Sequence, residues 1–298
     1  MADNFARYFE KLISIPLRTS YLMRFSAKII FALLISVGLV SLTGCSDFGL
    51  DVHKIDDHFY VILGDGGNSG VLIGDTSVLV IDTKMKQSAE RLHQWVDNKA
   101  KGKKVYIINT HIHKDHTGGN HLYDHPTVIA GDYGVQFWNA ANAKEDMPNV
   151  WLSDSLVMNF GEETVLIKNI GQAHTYDDVI VYLEKHKTLF TGDVVLNKYH
   201  PYLDEHVGSS VDNYISAQTK MLDLYADVTV VPGHGDIGES QLIFDFRQYM
   251  LDMKDAASNP DDEEKMREKY IEYSSIPINK AGFDQTLQYI RKSETLRM

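Results

Sequence analysis

One cysteine, Cys45, stands in 298 residues. That leaves no partner for an internal disulfide and no thiol in the body of the chain to act as nucleophile. Basic residues are scarce: 29 Lys and Arg against 41 Asp and Glu give a formal net charge of −12. A nucleic-acid surface calls for a basic patch, so the balance argues against that partner. Long apolar runs are missing as well. The stretch at residues 29–40, interrupted by Ser36 and Gly38, falls short of the roughly 20 residues that span a bilayer. What is present is globular: 44% hydrophobic and 23% charged residues, at a length that suits one large domain or two small ones.

Residues 110–119 read Thr-His-Ile-His-Lys-Asp-His-Thr-Gly-Gly. Four side chains able to bind metal, His111, His113, Asp115 and His116, fall within six positions. The preceding run of β-formers at residues 105–108 predicts a buried strand. Gly118 and Gly119 let the chain turn sharply, so the four side chains converge on a tight loop at a strand end. Imidazole and carboxylate suit zinc and, less selectively, iron or manganese. Three further candidates sit in matching contexts, each near glycine at the end of an apolar run: His174 in Gly-Gln-Ala-His-Thr, Asp193 in Thr-Gly-Asp, and His234 in Pro-Gly-His-Gly. The repetition predicts one sheet edge whose loops deliver ligands to one place.

The series H-x-H-x-D-H, isolated His, T-G-D and P-G-H-G resembles the motif set of the metallo-β-lactamase superfamily, over residues 51–239. The resemblance implies an α/β fold, a four-layer αββα sandwich with metals at one edge. It implies that His111, His113 and His174 hold one metal, that Asp115, His116 and His234 hold a second, and that Asp193 bridges them. Asp82, closing the apolar run at residues 78–81, matches the family's Asp that braces the ligand loop; a strand-ending turn former is the plainer alternative. The cofactor implied is two Zn2+ per chain. A hydroxide shared by the two ions would attack a carbonyl, with Asp115 orienting it. True β-lactamases of the family generally have Cys or Ser where this chain has Asp193. A bridging Asp is typical of the family's lactonases, thioester hydrolases and other general hydrolases. The expectation is therefore a metal-dependent hydrolase of ester, lactone or thioester bonds in small molecules. The alternatives are a β-lactamase acting on β-lactam antibiotics and a persulfide dioxygenase with a single iron.

Residues 42–45, Leu-Thr-Gly-Cys, resemble the lipobox of bacterial lipoproteins and follow Arg24, Lys28 and the short apolar stretch. This predicts a leader over residues 1–44, with the start at Met1 or Met23. It also predicts lipidation of Cys45 and export to the cell envelope. Ser46 after the cysteine resembles the sorting signal for the outer membrane, facing the periplasm. Residues 45–239 would form the metallo-β-lactamase-like domain and residues 240–298 a helical C-terminal extension, packed on the sandwich or pairing the chain as a homodimer.

The apolar runs at residues 59–63, 71–73 and 78–81 predict a β-meander. Its Gly-rich turn at residues 64–68 lacks the Lys and Ser/Thr of a phosphate loop. Residues 86–99 predict an amphipathic helix with Ala89, Leu92 and Val96 inward. Short helices are expected at 120–124 and 131–142 and a longer one at 211–225. Trp138 and Trp151 either line a cleft or simply pack. The loop at residues 197–202 should overhang the metals, which makes Tyr199 and His200 candidates for substrate contact. In the extension, Asn259 should cap a helix begun by Pro260.

Overall fold

Short apolar runs separated by tight turns build two sheets. The computed structural model describes residues 47–132, 135–141, 144–276 and 282–295. The leader and Cys45 lie outside the described residues. In the first sheet, β1 (Asp51–Lys54), β2 (Phe59–Leu63), β3 (Ser69–Ile73) and β4 (Ser77–Ile81) pair antiparallel. After the helix α1 (Lys86–Ala100), β5 (Lys104–Ile108), β6 (Thr127–Gly131) and β7 (Val150–Leu152) continue the sheet in parallel. Between them lie the single turn α2 (Lys114–Thr117) and α3 (Val135–Ala141).

The second sheet contains β8 (Ser155–Phe160), β9 (Glu163–Gly171), β10 (Asp178–Leu183) and β11 (Thr188–Phe190). A two-residue strand, β12 (Tyr199–His200), and the helix α4 (Val211–Leu224) follow, and then β13 (Thr229–Val231) and β14 (Gly238–Glu239) complete that sheet. The extension supplies α5 (Gln241–Ser258), α6 (Glu263–Lys269), β15 (Ser274–Ser275) and α7 (Phe283–Thr295).

β2 shows why the sheets stack. Successive side chains of a strand face opposite ways. Phe59, Val61 and Leu63 enter the core between the sheets, while Tyr60 and Ile62 pack under α1 with Leu92, Trp95 and Val96. Both faces are apolar, so the strand is buried along its length. A third apolar layer lies outside the second sheet, where Tyr214 and Met221 of α4 meet Ile243, Phe246, Tyr249 and Met250 of α5 and Leu287 and Ile290 of α7. The result is helix, sheet, sheet, helix, as expected, with a C-terminal helical region.

The C-terminal helices share the outer core with α4 and are continuous with the sandwich. Two local readings need correction. The expected cap at Asn259 makes no backbone cap; its amide donates to Asp262 Oδ2 at 2.6 Å, and a 3-10 turn, Pro260–Asp262, precedes α6. The helices expected at 120–124 and 131–142 are shorter, a 3-10 turn at Asn120–Leu122 and α3.

Phe246 is 1% exposed and stacks on Tyr249 at 5.6 Å. Truncating it to alanine should destabilise the fold by about 3–5 kcal/mol, the usual range for a buried Phe. Urea unfolding of Phe246→Ala measures this. A loss below about 1 kcal/mol would mean that the extension does not share the cooperative core.

Candidate metal centre

Every predicted ligand leaves the end of a strand. The loop after β5 carries His111, His113, Asp115 and His116; His174 follows β9, Asp193 follows β11 and His234 follows β13. The first sheet therefore contributes one half of the site and the second sheet the other. His111, His113, His174 and Asp193 each offer a ligand atom within 4.8 Å of the others, and so, as a second group, do Asp115, His116 and His234. Asp193 lies between the groups. Its Oδ2 is 3.5 Å from His174 Nε2, while Oδ1 is 3.2 Å from His116 Nε2 and 3.5 Å from His234 Nε2. In the first group His113 Nδ1 is 3.1 Å from His111 Nε2 and 2.9 Å from His174 Nε2. In the second, Asp115 Oδ2 is 3.2 Å from His234 Nε2.

Hydrogen bonds on the far side of the rings fix which nitrogen faces inward. Asp82 accepts from the Thr110 amide at 2.8 Å, from the Thr110 hydroxyl at 2.7 Å and from His116 Nδ1 at 2.7 Å. The Thr110 hydroxyl, its proton given to Asp82, accepts from His111 Nδ1 at 3.1 Å. So both rings keep Nε2 free for the centre. Asp178 braces the His174 loop in the same way, accepting from the amides of Ala173 and Thr175 and from the Thr175 hydroxyl.

Burial holds His111 well below its ordinary pKa, lowers His113, and takes His174 down to about 3. Burial works against charge on His116 too, but the carboxylates of Asp82, Asp193 and Asp115 prevail and raise it well above the usual range. Against the same burial, His116 and His234 keep Asp115 ionised, and both also keep Asp193 ionised. Three neutral imidazoles beside two carboxylates form a donor set suited to divalent cations. Among the described residues, His116 Nε2, His234 Nε2 and Asp193 Oδ1 are buried and make no hydrogen bond. Buried polar atoms seldom lack a partner, and a cation among them would satisfy all three. The residues therefore fit a metal centre.

The turn between β2 and β3 locks the second group in place. A Cβ on Gly67 would meet His116 Cε1 at 2.3 Å, so only glycine fits there. Asn68 donates from its side chain to the carbonyls of Pro232 at 2.9 Å and Gly235 at 2.8 Å, on either side of His234. Lys84 holds the turn itself. Its buried Nζ donates to the carbonyls of Gly64 at 2.5 Å, Gly67 at 2.8 Å and Ile62 at 3.3 Å. Nothing in the local sequence marked Lys84, Asn68 or Asp178 for these tasks.

A cleft of about 580 Å³ opens beside His234. Met85, Tyr199 and Ile276 wall it, the glycine turn forms one edge, and Lys86 and Arg91 stand at its rim. Tyr199 thus faces the cleft. His200, its expected companion, does not: it is 5% exposed, bonds the Tyr249 hydroxyl at 2.8 Å and lies among Tyr273 and Phe283. The cause is β12, which pairs with β15 in parallel, so adjacent side chains point to opposite faces. Trp138 is fully buried against Trp151 and donates to Asp177, so of its two readings packing holds. Ile276, from the extension, had no sequence signal as a cleft residue.

The profile of the metallo-beta-lactamase superfamily matches residues 62–234, and the chain belongs to that superfamily, a group of metal-dependent hydrolases. The chain is similar to the metallo-beta-lactamase type 2 of Bacillus cereus, 26% identical over 184 residues that cover 60% of this chain and 72% of the relative. Against the protein of the same name from Elizabethkingia meningoseptica it is 26% identical over 245 residues, 76% of this chain and 94% of the relative. Two solved structures share the fold. A metallo-beta-lactamase from Pontibacter korlensis superposes with a TM-score of 0.60 at 21% identity, covering 68% of this chain and 99% of that one. A double mutant of a sec-alkyl sulfatase superposes with a TM-score of 0.64 at 14% identity, covering 82% of this chain and 50% of that one.

Burial pulls Lys84 from 10.5 down to about 7. Between those values the unfolded chain binds more protons than the folded one, so this residue makes stability rise with pH across the window. The rise in metal-free protein should be on the order of a few kcal/mol and should flatten in Lys84→Met. Urea midpoints from about pH 7 to about pH 9.5 test it; an equal rise in the variant would assign the effect to other groups.

Proposed function

We propose that the protein is a dinuclear zinc hydrolase that cleaves an ester, lactone or thioester carbonyl. The observation that carries this reading is Asp193, whose two oxygens face the two ligand groups separately. His111, His113 and His174 would hold one cation, and Asp115, His116 and His234 the other, with Asp193 common to both. Cations bound there supply an acidified water and a polarised carbonyl oxygen. The ionised Asp115 carboxylate accepts a hydrogen bond from the attacking water and orients it. Asp193 contributes charge to both groups and offsets the repulsion between them. The walls formed by Met85, Tyr199 and Ile276 hold the apolar part of the substrate and keep bulk water from the leaving group. β-Lactam hydrolysis is the second reading, favoured by the names of the curated relatives.

Protein purified without added metal should contain about two ions per chain, mostly zinc. Asp193→Ala should retain about one ion and lose about 10²-fold or more in turnover, the scale of one lost electrostatic element. Metal analysis and a panel of lactones, thioesters and β-lactams test both statements. One tightly held iron without zinc would sink the hydrolase. Turnover confined to β-lactams would promote the second reading.

We further propose export and anchoring through a lipid on Cys45, with the protein at the outer membrane facing the periplasm. The support is the sequence Leu42-Thr43-Gly44-Cys45 and the absence of any other cysteine. Acyl chains would give the affinity for the bilayer that an acidic surface lacks. In fractionated cells, Cys45→Ala should move from the membrane to the soluble fraction; retention equal to wild type would refute the anchor.

A further inference from the structure

His111 and His116 owe their orientation to Asp82, on the first sheet. Among the described residues, no carboxylate bonds Nδ1 of His174. Its Nδ1 meets the hydroxyl of Tyr214, on α4, at 2.9 Å, and that hydroxyl also lies 2.5 Å from the backbone carbonyl of Asp193. A phenol has one proton. The carbonyl can only accept, so the Tyr214 proton goes to it and the hydroxyl oxygen accepts from His174 Nδ1–H. That fixes the tautomer of His174 and leaves Nε2, which faces His113 and Asp193, with its lone pair free. The same bond pair ties the His174 loop to the Asp193 turn, although the two leave different strands.

The surroundings make this contact stiff. Tyr214 is fully buried, and the Phe246 ring lies 6.3 Å from its own. One turn further along α4, Gln218 donates to the Val194 carbonyl at 2.9 Å. At the head of the helix, the Ser210 amide donates to the Ala173 carbonyl at 2.8 Å and the Ser209 hydroxyl to the His174 carbonyl at 2.7 Å. One helix therefore grips both loops.

We propose that Tyr214 is a positioning residue. Through its bond to Nδ1 it sets the tautomer of His174, and so governs metal affinity at the His111, His113 and His174 half of the centre but not at the other half. The proposal rests on the metal-binding reading and is independent of the substrate.

The test is Tyr214→Phe, which keeps the ring and removes the hydroxyl. Cobalt(II) and zinc are titrated into metal-free protein against a chromophoric chelator, and the step belonging to the first half is identified as the one that His113→Ala abolishes. That step should weaken about 10–100-fold, the range for losing the group that orients a ligating histidine. The other step should stay within about threefold of wild type. In a His174→Gln background, Tyr214→Phe should have no further effect on metal affinity. Gln218→Met, which loosens α4 without touching His174, should leave the first step within about threefold, so that a general softening of the helix is told apart from the hydroxyl's action. Equal weakening of both steps, or none in the variant while wild type shows two sites, overturns this proposal alone. Wild-type protein that takes up no divalent cation overturns the metal reading along with it.

Discussion

The carboxylate of Asp82 accepts three hydrogen bonds in a space closed to water, and the ligand edge of the first sheet is arranged around it. A buried charge is tolerated only when its lone pairs are used. Asp82 uses its own on one amide, one hydroxyl and one imidazole, and each of these belongs to the loop that must be held. The backbone bends to allow it: Asp82 has φ 57, in the left-handed region where a non-glycine residue costs about 1–2 kcal/mol. Asp178 plays a like bracing part on the second sheet, although there burial prevails over the bonds from the Thr175 amide and hydroxyl and raises its carboxyl well above the usual range. The centre is thus braced from both sheets, and the Asn68 turn of the first also holds the His234 loop of the second.

The meeting of the halves concentrates unsatisfied atoms. Neutral imidazoles and ionised carboxylates crowd a volume that water barely reaches. Close packing leaves no escape: a Cβ on Gly233 would lie 1.9 Å from Asp193 Oδ1. Low dielectric strengthens each polar contact and raises the penalty for each missing one. Such a cluster is poised for cations, whose charge compensates the carboxylates and whose coordination replaces the absent hydrogen bonds.

The ligand residues were legible because each announces itself locally, as a polar residue in a short glycine-containing stretch where an apolar run stops. The sandwich was legible for a related reason, since fully apolar runs such as Phe-Tyr-Val-Ile-Leu imply a layer on either face. What stayed hidden depends on contacts distant in sequence. Tyr214 reads as one more apolar position on an amphipathic helix, and only its hydroxyl's reach across 40 residues to His174 separates it from its neighbours. Lys84 lies in Lys-Met-Lys before a helix and looks solvent-facing, yet it points inward. In the sequence His200 sits beside Tyr199 on one overhanging loop, but the pairing of β12 with the extension sends the two in opposite directions.

Lys84 Nζ donates only to carbonyl oxygens, at Ile62, Gly64 and Gly67. Every amino acid has that oxygen, so the grip on the turn is blind to the side chains it displays. Gly67 is fixed by the His116 ring, but Asp65, two positions earlier, gives its side chain to Arg91 at the rim and none of the three carbonyls that Lys84 holds. The rim of the cleft is therefore free to diversify at that point, trading charge, size or shape against new substrates, while the metal ligands beneath keep their places.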